Sequence, residues 1–221
     1  MEPQITRFAR LFAVLVLSSF CFWSQARAAA PIAAYVPSAT TVAILPVISK
    51  EDSAVDALKD RHITKALEEL TTEFTRHGFK IADTAAVRQA ISDQKIDLSD
   101  EENQRRAVLY QLGQAVHADL VVFVVIESVS RHNKSNSFLG QQKEGKALLK
   151  MWLVDADKQQ PIINAVQKEG KAASNAFLDN QIGPDTNGYT RFTIRAVGHG
   201  IDDMLAEFFK PYPEVKKDGK L

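Results

Sequence analysis

Cysteine is almost absent: Cys21 is the single one in 221 residues, and it lies in an apolar run near the amino terminus. No intrachain disulfide can form, so a packed core must hold the fold, and no cysteine-built metal site is open to the chain. Net charge is absent too, with 27 Lys+Arg set against 27 Asp+Glu. That balance speaks against the strongly basic face of a nucleic-acid binder and against general attraction to anionic lipid. Glycine-rich phosphate-binding loops and a G-x-S-x-G nucleophile turn are missing. Beyond residue 30, no stretch is apolar enough to span a bilayer.

What is present begins with a three-part leader. Arg7 and Arg10 precede the apolar run Leu11 to Trp23, and Ala26-Arg27-Ala28-Ala29-Ala30 follows. A positive start, a short apolar centre and an A-x-A exit are the pattern of a cleaved secretory signal over residues 1–30, cut after Ala28 or Ala30. The run is shorter than the roughly 20 residues of a spanning helix. Phe20 stands before Cys21, where a lipoprotein signal carries a small residue. Removing Arg7, Arg10, Arg27 and Glu2 with the leader leaves 24 basic and 26 acidic residues, a net of −2. About 190 residues remain, the size of one domain.

The mature chain reads as a single α/β (α+β) domain over 42–209. Its expected core is a mixed sheet of about five strands packed by three to four helices. Residues 31–41 read as an extended lead. Val42 to Val47 is a short buried strand. A helix starts near Ser53, with Val55, Leu58, Ile63, Ala66, Leu67, Leu70 and Phe74 as its apolar stripe and Gly78 as its C-cap. Phe79 to Ala82 is a second strand, and a helix follows from Ala85 to Gln94. Ser99-Asp100-Glu101-Glu102 is a capping-box signature for a helix with Ala107, Val108, Leu109 and Leu112 inward and Gly113 ending or bending it. Leu120 to Ile126 is the strongest strand, apolar throughout and so central.

Arg131 to Gly145 is polar and predicts the mobile connection of a long hairpin. Lys146 to Val154 and Ile162 to Ala172 are the next strands, and Ser174 to Gly188 is a second long loop. A closing helix spans Thr190 to Phe209, with Ile194, Val197, Ile201, Leu205 and Phe208 inward. Residues 210–221 read as a disordered tail.

The chemistry is sparse. His62, His77, His117, His132 and His199 show no ligand spacing, and His62 and His77 read as partly exposed. The pairs Asp202-Asp203 and Glu101-Glu102 read as solvated helix faces, because adjacent helical residues point different ways. Gly198-His199-Gly200 inside a helix is costly and reads as a packing requirement. Trp152 reads as core. The expectation is a protein that is not an enzyme, with no cofactor and no metal.

Several stretches carry a resemblance: Thr41 to Pro46, His77 to Asp83, Val87 to Ile91, Leu112 to Val122 and Leu149 to Ala156. In their order, they resemble a group of bacterial envelope proteins that includes the TolB amino-terminal domain, the curli secretion lipoprotein CsgG and the penicillin-binding-protein activator LpoB. The resemblance implies a periplasmic or extracellular, non-enzymatic adaptor or assembly protein. Its partner would be another envelope protein or a second copy of itself, without nucleic acid and without a transmembrane segment after signal cleavage. The alternative is a periplasmic small-ligand or glycan-binding domain sited between the two long loops. Either way, the residues singled out for contact are Arg131, His132, Asn133, Phe138, Asp179, Asn180 and Tyr189.

Overall fold

Pro46 shapes one side of the sheet. In the computed structural model, which describes residues 35–51, 56–136, 140–173 and 188–215, β1 (Thr41–Ile44) pairs in parallel with β4 (Leu120–Asn136). Leu45 still donates its N–H to Val122 O at 3.0 Å. Pro46 has no N–H to continue the ladder, and pairing with β4 resumes in β2 (Ile48–Ser49), opposite Val125 and Ile126. The strand expected over Val42 to Val47 therefore ends at Ile44, and a second short strand follows beyond the expected range.

Helix α1 (Asp56–Arg76) buries Ala66, Leu70 and Phe74. Gly78, with φ +83°, ends it as expected. Gly78 N–H bonds Thr75 O and Phe79 N–H bonds Phe74 O, both at 3.0 Å, the paired pattern of a left-handed C-cap. Phe79 also sets its ring edge-on to Phe74, centroids 5.6 Å apart. The chain then enters β3 (Lys80–Ile81), parallel to β1.

Asp83 caps α2 (Thr84–Asp93) by accepting from Ala85 N at 2.9 Å. The capping expected from Ser99 falls instead to Asp100, which accepts from Glu102 N and opens a 3-10 turn, Glu101–Gln104. The Ser99 hydroxyl is already committed to Asp97 Oδ1 at 2.6 Å. Helix α3 (Arg106–Ala115) starts only after that turn. Its phase turns Leu109 and Leu112 inward, leaves Ala107 exposed and half-buries Val108. Gly113 neither ends nor breaks it: a Cβ there would stand 2.5 Å from both Ala156 and Val121, so the glycine permits a close helix–sheet approach.

The sheet has six strands in the order β3-β1-β4-β5-β6, with β2 beside β4. β5 (Gly140–Asp155) and β6 (Gln160–Ala173) add antiparallel partners to β4. Here the largest expectation fails. Residues 131–136 and 140–145 are no loose connection, since the ladder runs unbroken from Ser128↔Leu148 to Asn136↔Gly140, and residues 137–139 lie outside the described residues. Polar composition did not prevent a strand, because an antiparallel ribbon satisfies its backbone while one face meets water.

Two apolar clusters flank the sheet. One joins β1, β4 and β5 side chains to α1 and to α4 (Gly188–Phe209) through Val197, Ile201, Leu205 and Phe208. The other joins Val121, Phe123, Val125, Trp152 and Val154 to Val87 of α2 and Leu109 and Leu112 of α3. Both faces of β4 are thus covered through Ile126, which is why that stretch reads as continuously apolar. Each fully buried large side chain contributes about 1.5–3 kcal/mol. Ile194 is only half-buried.

The ends of the domain are better held than the sequence suggests. Tyr35, in the stretch read as an extended lead, donates its N–H to Tyr212 Oη at 3.0 Å and its hydroxyl to Asp155 Oδ2 at 2.7 Å. Tyr212, in the stretch read as tail, is buried, and Val215 N–H bonds Arg76 O at 2.9 Å. The leader, residues 1–30, lies outside the described residues. Among those described, no helix is long and apolar enough to cross a membrane.

Candidate functional site

The ribbon formed by the outer halves of β4, β5 and β6 has two unlike faces. On the face shared with α2 and α3, the apolar cluster stops at Val125 and Trp152. Beyond it, cross-strand register places Ser130, Lys146 and Lys171 in one row, and Ser128, Leu148 and Glu169 in the next. Lys171 Nζ stands 2.8 Å from Glu169 Oε1 and Lys146 Nζ 3.8 Å from it. The hydrogen bond from Lys171 is the main reason the Glu169 carboxyl is held below its usual range. Trp152 is core, as expected, and Lys150 Nζ lies 4.9 Å from its ring centroid. This is a mixed-charge surface with a few apolar atoms, of the kind found at the rim of protein interfaces.

Arg131 and His132 lie on this ribbon, both exposed and opposite Gly145 and Glu144. His132 Nε2 is 3.2 Å from Ser130 Oγ. Asn133 pairs along the backbone with Lys143. Tyr189 falls in the first turn of α4. Phe138, Asp179 and Asn180 lie outside the described residues. Arg131 and His132 are consecutive on a strand where a loop was expected, so they project to opposite faces, Arg131 toward His62 and His132 beside Ser130.

The inner face of the ribbon is covered by α4, and here the sequence reading missed a polar chain. His62 was expected partly exposed; it is wholly buried, at 0%. Its Nδ1 lies 2.8 Å from Glu51 Oε2 and its Nε2 2.9 Å from Thr193 Oγ1. The network assigns the neutral ring as donor to Glu51 and acceptor from Thr193. Burial pushes the His62 pKa down, Glu51 opposes this, and the nearby Arg131 charge adds to the lowering. His62 stands four residues before Ala66 and eight before Leu70, in phase with the buried stripe. That spacing was the available signal.

A second group sits further along the same helix pair. Helices α1 and α4 run side by side in one direction, His62 meeting Thr193 and, toward the other end, Phe74 meeting Phe209 with ring centroids 5.1 Å apart. Between these contacts, carboxylate oxygens of Glu69, Glu73 and Asp202 lie within 4.8 Å of one another. Asp202 is half-buried, against the expectation of a solvated face, while Asp203 is exposed. Carboxylates this close share either a cation or a proton. Glu69 is paired with Lys65, and Glu73 with Arg76 at 2.6 Å, which leaves the proton for Asp202. His77, half-buried as expected, stacks on Phe209 at 4.2 Å and donates from Nδ1 to Tyr212 O at 2.6 Å.

A single domain with a six-stranded mixed sheet and helices on both faces is the class this chain represents. No protein-family model and no curated protein matches it. Solved structures similar to it include lipoprotein GNA1162 from Neisseria meningitidis, at 10% identity over 69% of this chain and 99% of that one, TM-score 0.42. The LpoB C-terminal domain from Escherichia coli matches at 14% identity over 63% of this chain and 87% of that one, TM-score 0.39. A neuraminyllactose-binding hemagglutinin homolog from Helicobacter pylori matches at 10% identity over 80% of this chain and 87% of that one, TM-score 0.45.

Proposed function

We propose that the protein is exported and serves as a non-enzymatic adaptor or assembly subunit of the bacterial cell envelope, binding another envelope protein through the outward face of the β4–β5–β6 ribbon. The observation that carries this reading is the ribbon itself. Three strands continue past the point where the α2–α3 cluster ends, and they present Ser130, Lys146, Lys150, Glu169 and Lys171 in register. The leader sequence supports export.

The face, rather than the free edge, is the docking surface. β6 is a poor strand to extend: Pro161 lies at its start, the register with β5 shifts between Met151 and Leu153, and Ala165 stands in the left-handed region at φ +54°. Lys168, Glu169 and Lys171 add charge along it. Proline, bulges and charge are the devices by which edges resist pairing. The Glu51–His62–Thr193 chain has the order of a carboxylate, base and hydroxyl nucleophile. His62 and Thr193 are both at 0% exposure, which supports a role for the chain in tying α1 to α4.

The test is cross-linked capture of the mature chain from its own envelope, alongside the Lys146→Glu/Lys171→Glu variant and an Arg88→Glu control on exposed α2. A partner retained by wild type and by the control, but reduced about tenfold by the face variant, is the expected result; a loss of 1.4 kcal/mol corresponds to that factor. An empty capture, or a partner that the face variant holds as well as wild type does, would sink the reading.

A further inference from the structure

We propose that the seam between α1 and α4 is a proton-operated latch: Asp202 holds the two helices together while its carboxyl carries a proton shared with Glu69, and loosens them when it ionises. The geometry sets this up. Asp202 Oδ1 is buried in the seam with no hydrogen-bond partner. The oxygens of Glu69 and Glu73, from α1, lie within 4.8 Å of it and of each other. Each of those glutamates has a cation of its own, Lys65 and Arg76, so a third negative charge enters a site whose positive charges are already taken.

Of the other charged groups around Asp202, His199 offsets burial and the two glutamates only in part. His199, on the same helix, is exposed and turned toward β6, its Nδ1 2.8 Å from Lys171 O. Lys168 of β6 bonds the backbone oxygen of Asp203 at 2.9 Å and stands 3.9 Å from that residue's carboxylate, on the outer side of α4. Gly198, one turn earlier, lets α4 approach closely: a Cβ there would lie 2.9 Å from Lys65 Cε and 3.0 Å from Glu69 Oε2. Separating the helices is therefore the open route for relieving repulsion.

Burial first, and then the charges of Glu69 and Glu73, push the Asp202 carboxyl up to about 6. The folded protein keeps this proton over a range in which the unfolded chain has released it, from its ordinary value near 3.8 upward. The folded state thus binds more protons in that window, and stability falls as pH rises through it. The latch's contribution is complete below 3.8 and is lost as pH rises through about 6, where half of the carboxyl is ionised. At the far end of the same seam, His62 acts with the opposite sign, because its lowered pKa makes acid the destabilising direction. The element released by Asp202 is α4, which covers the inner face of β5 and β6.

Amide hydrogen exchange on the purified full chain at pH 5 and pH 7, corrected for intrinsic rates, tests this. Protection in the carboxyl-terminal half of α4 should fall about fivefold between the two pH values, within the tenfold per pH unit that one proton permits, while α2 and α3 change less. Asp202→Asn should abolish the fall and Glu69→Gln should reduce it; if one variant does not fold, the other supplies the same readout. An Asp202→Asn protein that keeps the fall, or a wild type in which α2 and α3 lose protection as α4 does, would overturn the latch.

Discussion

Gly170 of β6 lies directly against Gly200 of α4: a Cβ at position 170 would stand 2.6 Å from Gly200 N and 2.8 Å from its Cα, and would also collide with Ala196 O. All of these are backbone atoms and cannot swing away. Gly170→Ala is therefore expected to destabilise by about 2–4 kcal/mol, the range of a strained overpacked core site. At Gly200 the nearest obstacle is Leu149 Cδ1 at 2.7 Å, so the expected loss there is about 1 kcal/mol, because a side-chain tip can move and alanine favours the helix. Gly198 meets only Lys65 and Glu69 side-chain ends, and Gly198→Ala is expected to be neutral within about 0.5 kcal/mol. Urea unfolding of the three variants checks the order; equal losses would contradict it.

His62→Gln breaks the link between Glu51 and Thr193 and is expected to cost about 1–3 kcal/mol, the penalty for stranding buried polar groups. It should also remove a component of acid sensitivity. The folded-state pKa of His62 is lowered from 6.5, so the unfolded chain binds more protons below that value. Stability from the neutral ring is complete above 6.5 and is lost as pH falls through the folded value. Thermal melts between pH 4 and 8 should show a shallower acid limb in the variant. An unchanged limb would refute the assignment.

Tyr35 and Asp155 pin the entry of the chain to the sheet. Burial raises the Asp155 carboxyl, but hydrogen bonds from Lys158 N–H, the Tyr35 hydroxyl and the Lys158 ammonium outweigh this and leave it below its usual range. Tyr35→Phe should cost about 1 kcal/mol and Asp155→Ala about 2–3 kcal/mol, since the second strands a phenol as well as losing the turn bond. A double-mutant cycle should return a coupling near 1 kcal/mol. A coupling of zero would mean that the 2.7 Å contact contributes nothing.

Ala165 sits at φ +54° in an edge strand, a conformation costing about 1–2 kcal/mol for a residue with a Cβ. Ala165→Gly should therefore raise the melting temperature, by a gain of about 0.5 kcal/mol after the entropy of the added glycine is counted. A lower melting temperature would show that packing of the methyl group outweighs the strain.

The elements whose residues satisfy their own local demands were legible in the sequence. Leu120 to Ile126 is apolar on both faces because both are covered, Gly78 closes a left-handed cap, and the stripe from Val197 to Phe208 turns toward the sheet. Residues 131–136 and 140–145 were misread because period and polarity report burial, whereas this ribbon is held by backbone pairing that polar side chains neither announce nor prevent. Of the candidate contact residues, Arg131 and His132 are exposed and lie on a strand rather than in a loop. His62, read as partly exposed, and Asp202, read as part of a solvated face, were misplaced because their partners, Thr193 and Glu69, lie 131 and 133 positions away.

The sequence by itself determined the α/β order, the central strand and the lack of disulfides, because each follows from side-chain type and local spacing. Only the tertiary structure decided that β4 to β6 form one long ribbon, that Gly170 and Gly200 meet, and that a third carboxylate enters the α1–α4 seam. Those outcomes depend on which distant surfaces are pressed together. The free energy of a buried charge or a missing Cβ is set by the neighbour it meets, not by the residues beside it in the chain.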